Sequence, residues 1–196
     1  MAPRFRRHIP WLLTATRMVL LAPAVVFLSL TTASRIGFAL CLIAALLSDY
    51  FDGVLARKWG VVTAGLRRFD SIADTLFCLA VLLAIWLLAP SVLVEHRVSL
   101  GILLVLELSR YLLDFFKYGR EASYHMWSSK LWGLALYGVF FAVLVAGYRG
   151  SYVALAIWIG IFADLEGILM SLTLSRWMHD VPTLLHAVRR RRDIDA

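Results

Sequence analysis

Apolar residues in this chain run in six long stretches, roughly 10–33, 36–58, 67–90, 97–118, 130–148 and 152–175, separated by short clusters of charge. Each stretch has about the 20 residues that a helix needs to cross the hydrocarbon core of a bilayer. The pattern predicts an all-α integral membrane bundle of six transmembrane helices, forming one domain over 1–196. A basic juxtamembrane segment, 1–9, precedes the first span, and a basic tail, 177–196, follows the last. A cleaved signal peptide is the rival reading of the basic start and first apolar run, but Arg17 interrupts that run.

The flanking charges orient the bundle. Basic residues gather at Arg4, Arg6 and Arg7, in the 2–3 loop (Arg57, Lys58, Arg67, Arg68), in the 4–5 loop (Lys117, Arg120, Lys130) and in the tail (Arg176, Arg189 to Arg192). The opposite side holds only Arg35, Arg97 and Arg149. Cytoplasmic loops are the basic ones, so both termini face the cytoplasm, as an even number of spans requires. The composition, 61% hydrophobic and 17% charged, excludes an ordinary soluble domain. The net charge of +7 would suit nucleic acid, but the basic residues lie between spans and no nucleic-acid motif is present. Cys41 and Cys78 fall inside spans, where thiols pack as small apolar groups.

Against this apolar background, four carboxylates stand out. Asp49 and Asp52 are three apart near the end of the second span, and Asp70 and Asp74 are four apart near the start of the third, so each pair shares one helix face. At 1.5 Å per residue they lie roughly 5–14 Å inside the cytoplasmic interface, and Arg17 of the first span lies about 10 Å deep. The segment from Trp59 to Leu66 is short enough to make the two spans neighbours. Four clustered carboxylates need a compensating cation, and hard oxygen ligands suit Mg²⁺, Mn²⁺ or Ca²⁺. An arginine this deep needs a partner, either the acidic cluster or a substrate phosphate.

The spacing Asp49-x-x-Asp52-Gly53-x-x-Ala56-Arg57, with Asp70 and Asp74 following, resembles the signature of the CDP-alcohol phosphotransferases, D-x-x-D-G-x-x-A-R, eight residues, G-x-x-x-D-x-x-x-D. One position departs: Leu66 stands where the signature has its later glycine, with Gly65 just before it. The resemblance implies a membrane enzyme that moves a phosphatidyl group from CDP-diacylglycerol to an alcohol, with phosphorylated alcohols such as glycerol 3-phosphate or inositol phosphate among the candidates, and releases CMP. It further implies two ions, Mg²⁺ or Mn²⁺, held by Asp49, Asp52, Asp70 and Asp74, with Asp74 also taking the proton of the alcohol. Gly53, Ala56 and Arg57 fall on the CDP side, and Lys117, Arg120 and Lys130 are the acceptor-side candidates. A homodimer in a bacterial inner (plasma) membrane, with its site on the cytoplasmic side, completes the expectation. An intramembrane ion or proton transporter and an inactive structural homologue are the alternatives from other classes.

The remaining interior charges carry structural expectations. Arg110 and Asp114 are spaced as an intrahelical pair, and Asp164 or Glu166 is expected to pair with Arg110 or Lys130. His125 is expected to be a solvated loop residue. The chain contains no Asn and no Gln, so interior polar contacts must come from charges, hydroxyls, Trp, His and backbone.

Overall fold

The computed structural model describes residues 4–120, 124, 126–178 and 181–195, and these residues are helical apart from short connections. The helices are α1 (Arg4–Thr16), a π-helical turn (Arg17–Leu21), α2 (Ala22–Leu30), α3 (Arg35–Lys58), α4 (Ala64–Leu88), α5 (Pro90–Glu95), α6 (Arg97–Tyr118), α7 (Trp127–Leu144), α8 (Tyr152–Thr173) and α9 (Leu184–Asp195). Among the described residues, five segments are long and apolar enough to cross a membrane: His8–Leu30, Arg35–Lys58, Ala64–Leu88, Trp127–Leu144 and Tyr152–Thr173. The sixth expected span, α6, has the length at 22 residues, but Glu107, Arg110 and Asp114 interrupt its apolar run. The expected spans thus fall within a few residues of real helices.

The chain divides into two compact units, one covering Met1–Val92 with Phe140–Tyr148 and the other Leu93–Val139 with Arg149–Ala196. In the first unit, α3 buries Phe38, Cys41, Leu42, Ala45, Ser48, Asp52 and Ala56, a stripe with helical spacing that carries Asp52 inward along with the apolar side chains. The corresponding stripe on α4 is Leu66, Ala73, Phe77, Ala80, Val81, Ala84 and Ile85. Helix α3 ends in a Schellman turn. The amide of Val61 donates to the Ala56 carbonyl at 3.0 Å and that of Gly60 to Arg57 at 3.2 Å, with Gly60 in the left-handed conformation at φ 64°. Arg57 and Lys58 in the last turn of α3 complement its dipole. Thr63 then caps α4 by accepting from the Leu66 amide at 3.1 Å.

The short connection does not, however, make α3 and α4 direct neighbours. The first helical run lies between them: α1 packs on α3, α2 packs on α4, and the π turn touches both. Two features of the sequence favour this insertion. Pro23, in the first turn of α2, cannot donate to a helical carbonyl, and the widened turn just before it absorbs the mismatch, closing with the Ala22 amide on the Arg17 carbonyl. Trp11 stacks on Phe69 of α4 with ring centroids 5.2 Å apart, which fixes α1 against the start of α4.

In the second unit, α8 packs chiefly on α6 through small residues. Ala156, Gly160, Ala163 and Gly167 recur at helical spacing on its buried face and let the helices approach closely. Helix α9 packs on α8, with Val181 and Ala187 buried among Tyr124, Met126, Met170 and Leu174. The basic tail is therefore docked rather than free. Its docking is fixed by Glu166, whose carboxylate accepts from the Leu184 amide at 3.1 Å, at the positive end of α9, and from Ser128 Oγ at 2.6 Å.

Adding a side chain at Gly160 tests this packing. A Cβ there would stand 2.9 Å from Leu103 Cδ1 and closer still to Trp132 Nε1. Gly160→Leu is expected to cost ~1–3 kcal/mol by overpacking. A lowered thermal midpoint of the detergent-solubilised protein would show it, whereas an unchanged midpoint would contradict close packing along this face.

Candidate active site

The apolar stripes of α3 and α4 aim their carboxylates at the π turn that lies between the two helices. Arg17, the first residue of that turn, is completely buried and binds all four. Its Nη1 donates to Asp49 Oδ1 at 3.0 Å and to Asp74 Oδ1, while its Nη2 donates to Asp52 Oδ2 at 2.8 Å and to Asp70 Oδ1 at 3.0 Å. A planar guanidinium can do this because its terminal nitrogens carry four hydrogens in a fixed fork; a lysine ammonium has three and no fork. Of Arg17's two expected partners, the structure pairs it with the acidic cluster.

The four carboxylates are not equivalent. Asp52 keeps only 5% of its side chain exposed, while Asp49, Asp70 and Asp74 keep 42%, 35% and 47%. Thr14 explains the difference. Its Oγ1 lies 2.8 Å from Asp52 Oδ2 and 3.0 Å from the Pro10 carbonyl, so Asp52 is held from two sides. Sequence reading gave Thr14 no role, although its spacing from Arg17, i to i+3, places both on one helix face.

The more exposed three form the group suited to an ion. One carboxylate oxygen from each of Asp49, Asp70 and Asp74 lies within 4.8 Å of the others. Oxygens on opposite sides of a Mg²⁺ ion at 2.0–2.1 Å stand about 4.2 Å apart, so a small inward shift suffices. Charge points the same way: four carboxyl groups around one guanidinium cannot all ionise without further positive charge, which a hard divalent cation would supply. The donor set therefore fits such a metal.

Around the cluster, Gly53 lies directly under Arg57. A Cβ at Gly53 would sit 3.5 Å from both terminal nitrogens of Arg57, in ordinary contact, so the two residues share one surface of α3. Ala56 is buried at 3%. Leu66, at the departing position of the signature, is a buried residue in the first turn of α4, and its conformation needs no glycine. Gly65 faces Trp11, 3.8 Å from where its Cβ would be.

The acceptor-side candidates all lie in the second unit and already have contacts. Lys117 Nζ donates to the carbonyls of Ser171 and Leu172 at 2.7 and 3.3 Å, capping the end of α8. Arg120 lies over the Trp177 ring at 3.7 Å, and Lys130 Nζ lies 4.8 Å from the centre of the Trp127 ring. Stacking on a ring face leaves the hydrogens of a guanidinium free to bond in its own plane. Nearby, Tyr124 is buried against Ser171 Oγ at 2.9 Å, and burial pushes its phenol up, keeping it neutral. His125 lies outside the described residues.

The interior charges of α6 and α8 form a second cluster. Arg110 bonds Glu107 at 2.8 Å and faces Asp164 at 3.6 Å, which answers the expected pairing of Asp164 with Arg110. Asp114 accepts from Ser171 Oγ at 2.5 Å. A cavity of about 470 Å³ in this unit is lined by Trp127, Leu131, Trp158 and Phe162, together with Ser128 and Glu166, which bond one another. Its few polar groups are thereby satisfied, and the chemistry lies with the aspartates.

Comparison with known proteins agrees with this geometry. The CDP-alcohol phosphatidyltransferase family matches residues 7–188. The CDP-diacylglycerol--glycerol-3-phosphate 3-phosphatidyltransferase of Rickettsia prowazekii (strain Madrid E) is 32% identical over 84 residues, 41% of this chain and 46% of that protein. The protein of the same name from Rickettsia typhi (strain ATCC VR-144 / Wilmington) is 32% identical over 81 residues, 39% of this chain and 45% of that protein. The chain thus spans about half the length of the curated relatives it matches. No solved structure matches it. With a family match over nearly its whole length and the acidic signature assembled in space, the chain belongs to the CDP-alcohol phosphatidyltransferase family.

Proposed function

We propose that the chain is one catalytic domain that transfers a phosphatidyl group from CDP-diacylglycerol to an alcohol and releases CMP. The observation that carries this reading is the convergence of Asp49, Asp52, Asp70 and Asp74 on one point inside an apolar helical unit. A bound pair of Mg²⁺ or Mn²⁺ ions would neutralise the pyrophosphate and stabilise the CMP leaving group. Asp49, Asp52, Asp70 and Asp74 would hold these ions, with the three more exposed carboxylates as the primary set. Arg57, which has no ion pair among the described residues, meets a phosphate, and Gly53 lets the nucleotide approach the α3 backbone. Asp74 accepts the proton of the attacking hydroxyl.

The names of the similar Rickettsia proteins support glycerol 3-phosphate as the acceptor. Its phosphate would be met by Arg120 and Lys130, with Lys117 contributing its remaining hydrogen. The protein works as a homodimer in a bacterial inner membrane, with the site and both termini on the cytoplasmic side, where its basic loops lie.

Three measurements test this reading. Asp74→Asn keeps a ligand oxygen but removes the base, so transfer is expected to fall by at least ~10²-fold while binding of CDP-diacylglycerol is retained. Asp70→Asn is expected to weaken metal binding as well. Equal loss of nucleotide binding in both variants would remove Asp74 as the base.

Chelation is expected to abolish CMP release, and Mg²⁺ or Mn²⁺ to restore it far better than Zn²⁺, because an all-carboxylate site favours hard cations. Full activity after exhaustive chelation would overturn the metal mechanism. Absence of CMP release under all conditions would favour the transporter or the inactive homologue.

On the acceptor side, Arg120→Ala and Lys130→Ala should raise KM for glycerol 3-phosphate about tenfold or more, the loss of one charged hydrogen bond at ~1.5–3 kcal/mol, with little change in KM for CDP-diacylglycerol. Unchanged KM in both variants, at fixed ionic strength, would point to an uncharged alcohol.

A further inference from the structure

Arg17 stands where the site's chemistry would otherwise place a cation. Its terminal nitrogens bond one oxygen of each of Asp49, Asp52, Asp70 and Asp74, and so sit among the carboxylates of Asp49, Asp70 and Asp74 that are grouped closely enough to hold an ion. A guanidinium and a divalent ion cannot share that point. Ligand oxygens must close to about 2.0–2.1 Å around Mg²⁺, and two positive centres so near each other repel.

Arg17 is also imperfectly satisfied where it sits. Its Nε is buried without a hydrogen-bond partner among the described residues, whereas buried donors in a purely structural ion cluster are normally all paired. Arg17 opens the π turn, and such wide turns, placed where a helix has an extra residue, often mark functional positions with backbone latitude.

From this geometry we infer that Arg17 is a built-in competitor of the divalent ion. The guanidinium holds the four carboxylates together and screens their mutual repulsion, and it withdraws from them when the ion enters. Metal affinity is thus set by a contest between an internal cation and an external one, and part of the ion's binding energy is used to displace Arg17. Removing the arginine therefore destabilises the metal-free protein but tightens metal binding. A solely structural arginine, remaining beside the ion, gives the opposite on the second count, because its loss would disorder the ligands.

The inference rests on the metal-dependent reading, and its test separates the two. Mn²⁺ binding to the full-length protein in detergent, without substrate, is read from the electron paramagnetic resonance signal of free Mn²⁺, and thermal midpoints are recorded in chelator and in Mn²⁺. Arg17→Met keeps length and removes charge. It is expected to bind Mn²⁺ about tenfold or more tightly than the unaltered protein, the effect of losing charged hydrogen bonds that compete for the ligands. Its midpoint should fall in chelator and rise on adding Mn²⁺ by more than that of the unaltered protein.

Arg17→Lys, whose ammonium cannot bridge four carboxylates, is expected to shift both readouts in the same direction by less, and it provides the test if the methionine variant does not fold. Mn²⁺ affinity that is unchanged or weaker in the variants, while Asp70→Asn still weakens binding, would overturn the competitor role and leave the metal site standing. Absence of Asp70-dependent Mn²⁺ binding in every form would remove the metal site and the competitor role together.

Discussion

Four carboxylates held within reach of one another repel strongly, and the first unit is built around the buried guanidinium that offsets this. The arginine must reach two helices at once, which is why the first helical run lies between α3 and α4. If those helices packed directly on one another, the aspartates of each would face their counterparts with no cation between them. The inserted helix also brings Thr14, and with it the asymmetry between a buried Asp52 and three more accessible aspartates. One packing choice therefore sets the order of the carboxylates, their exposure and the geometry available to an ion.

Much of this was legible in the chain because it rests on periodicity. Spans could be placed within a few residues since lipid-crossing length and apolarity are local properties, and spacings of three and four fix which carboxylates share a face. The ion-pairing need of Arg17 was equally visible, because a buried arginine must find anions. The neighbour relation of α3 and α4 was misread for a physical reason. A short turn limits how far apart two helix ends can be, but it does not prevent a third helix from wedging between their lengths. Pro23 indicated a kink, and the answer was a widened turn before it, whose register no local pattern specifies.

The second unit shows where local reasoning runs out. Spacing placed Arg110 beside Asp114 but did not show its other partners: Arg110 bonds Glu107 and faces Asp164, and Asp114 accepts from Ser171. Contacts that reach another helix are set by tertiary packing and not by i,i+3 or i,i+4 spacing. Gly167 makes room for them. A Cβ there would stand 2.8 Å from Arg110 Cδ, so this glycine opens the space in which Arg110 lies against α8. Of Asp164 and Glu166, the two carboxylates offered for such a pair, Asp164 meets Arg110, and Glu166 bonds Ser128 and the first turn of α9, a partner that does not exist until the tail folds back.

A chain without Asn or Gln has no neutral side-chain amide with which to satisfy buried polar groups, and both interior clusters bear the mark of that restriction. Each has one arginine against several carboxylates. Among the described residues, Arg17 Nε in the first has no partner, whereas Glu107 and Asp164 in the second share a hydrogen bond with one another. In the first, the orphan is a donor, and the excess of carboxylates around it is what a hard cation would require. In the second, Glu107 and Asp164 are joined to each other through one shared proton, and Asp164 keeps 1% of its surface exposed, so among the described residues no comparable group of accessible oxygens converges there. Acidic residues deep in the bundle thus do not by themselves mark the chemical site. What separates the two clusters is the accessible trio of Asp49, Asp70 and Asp74, which shares its arginine with a more deeply buried fourth carboxylate.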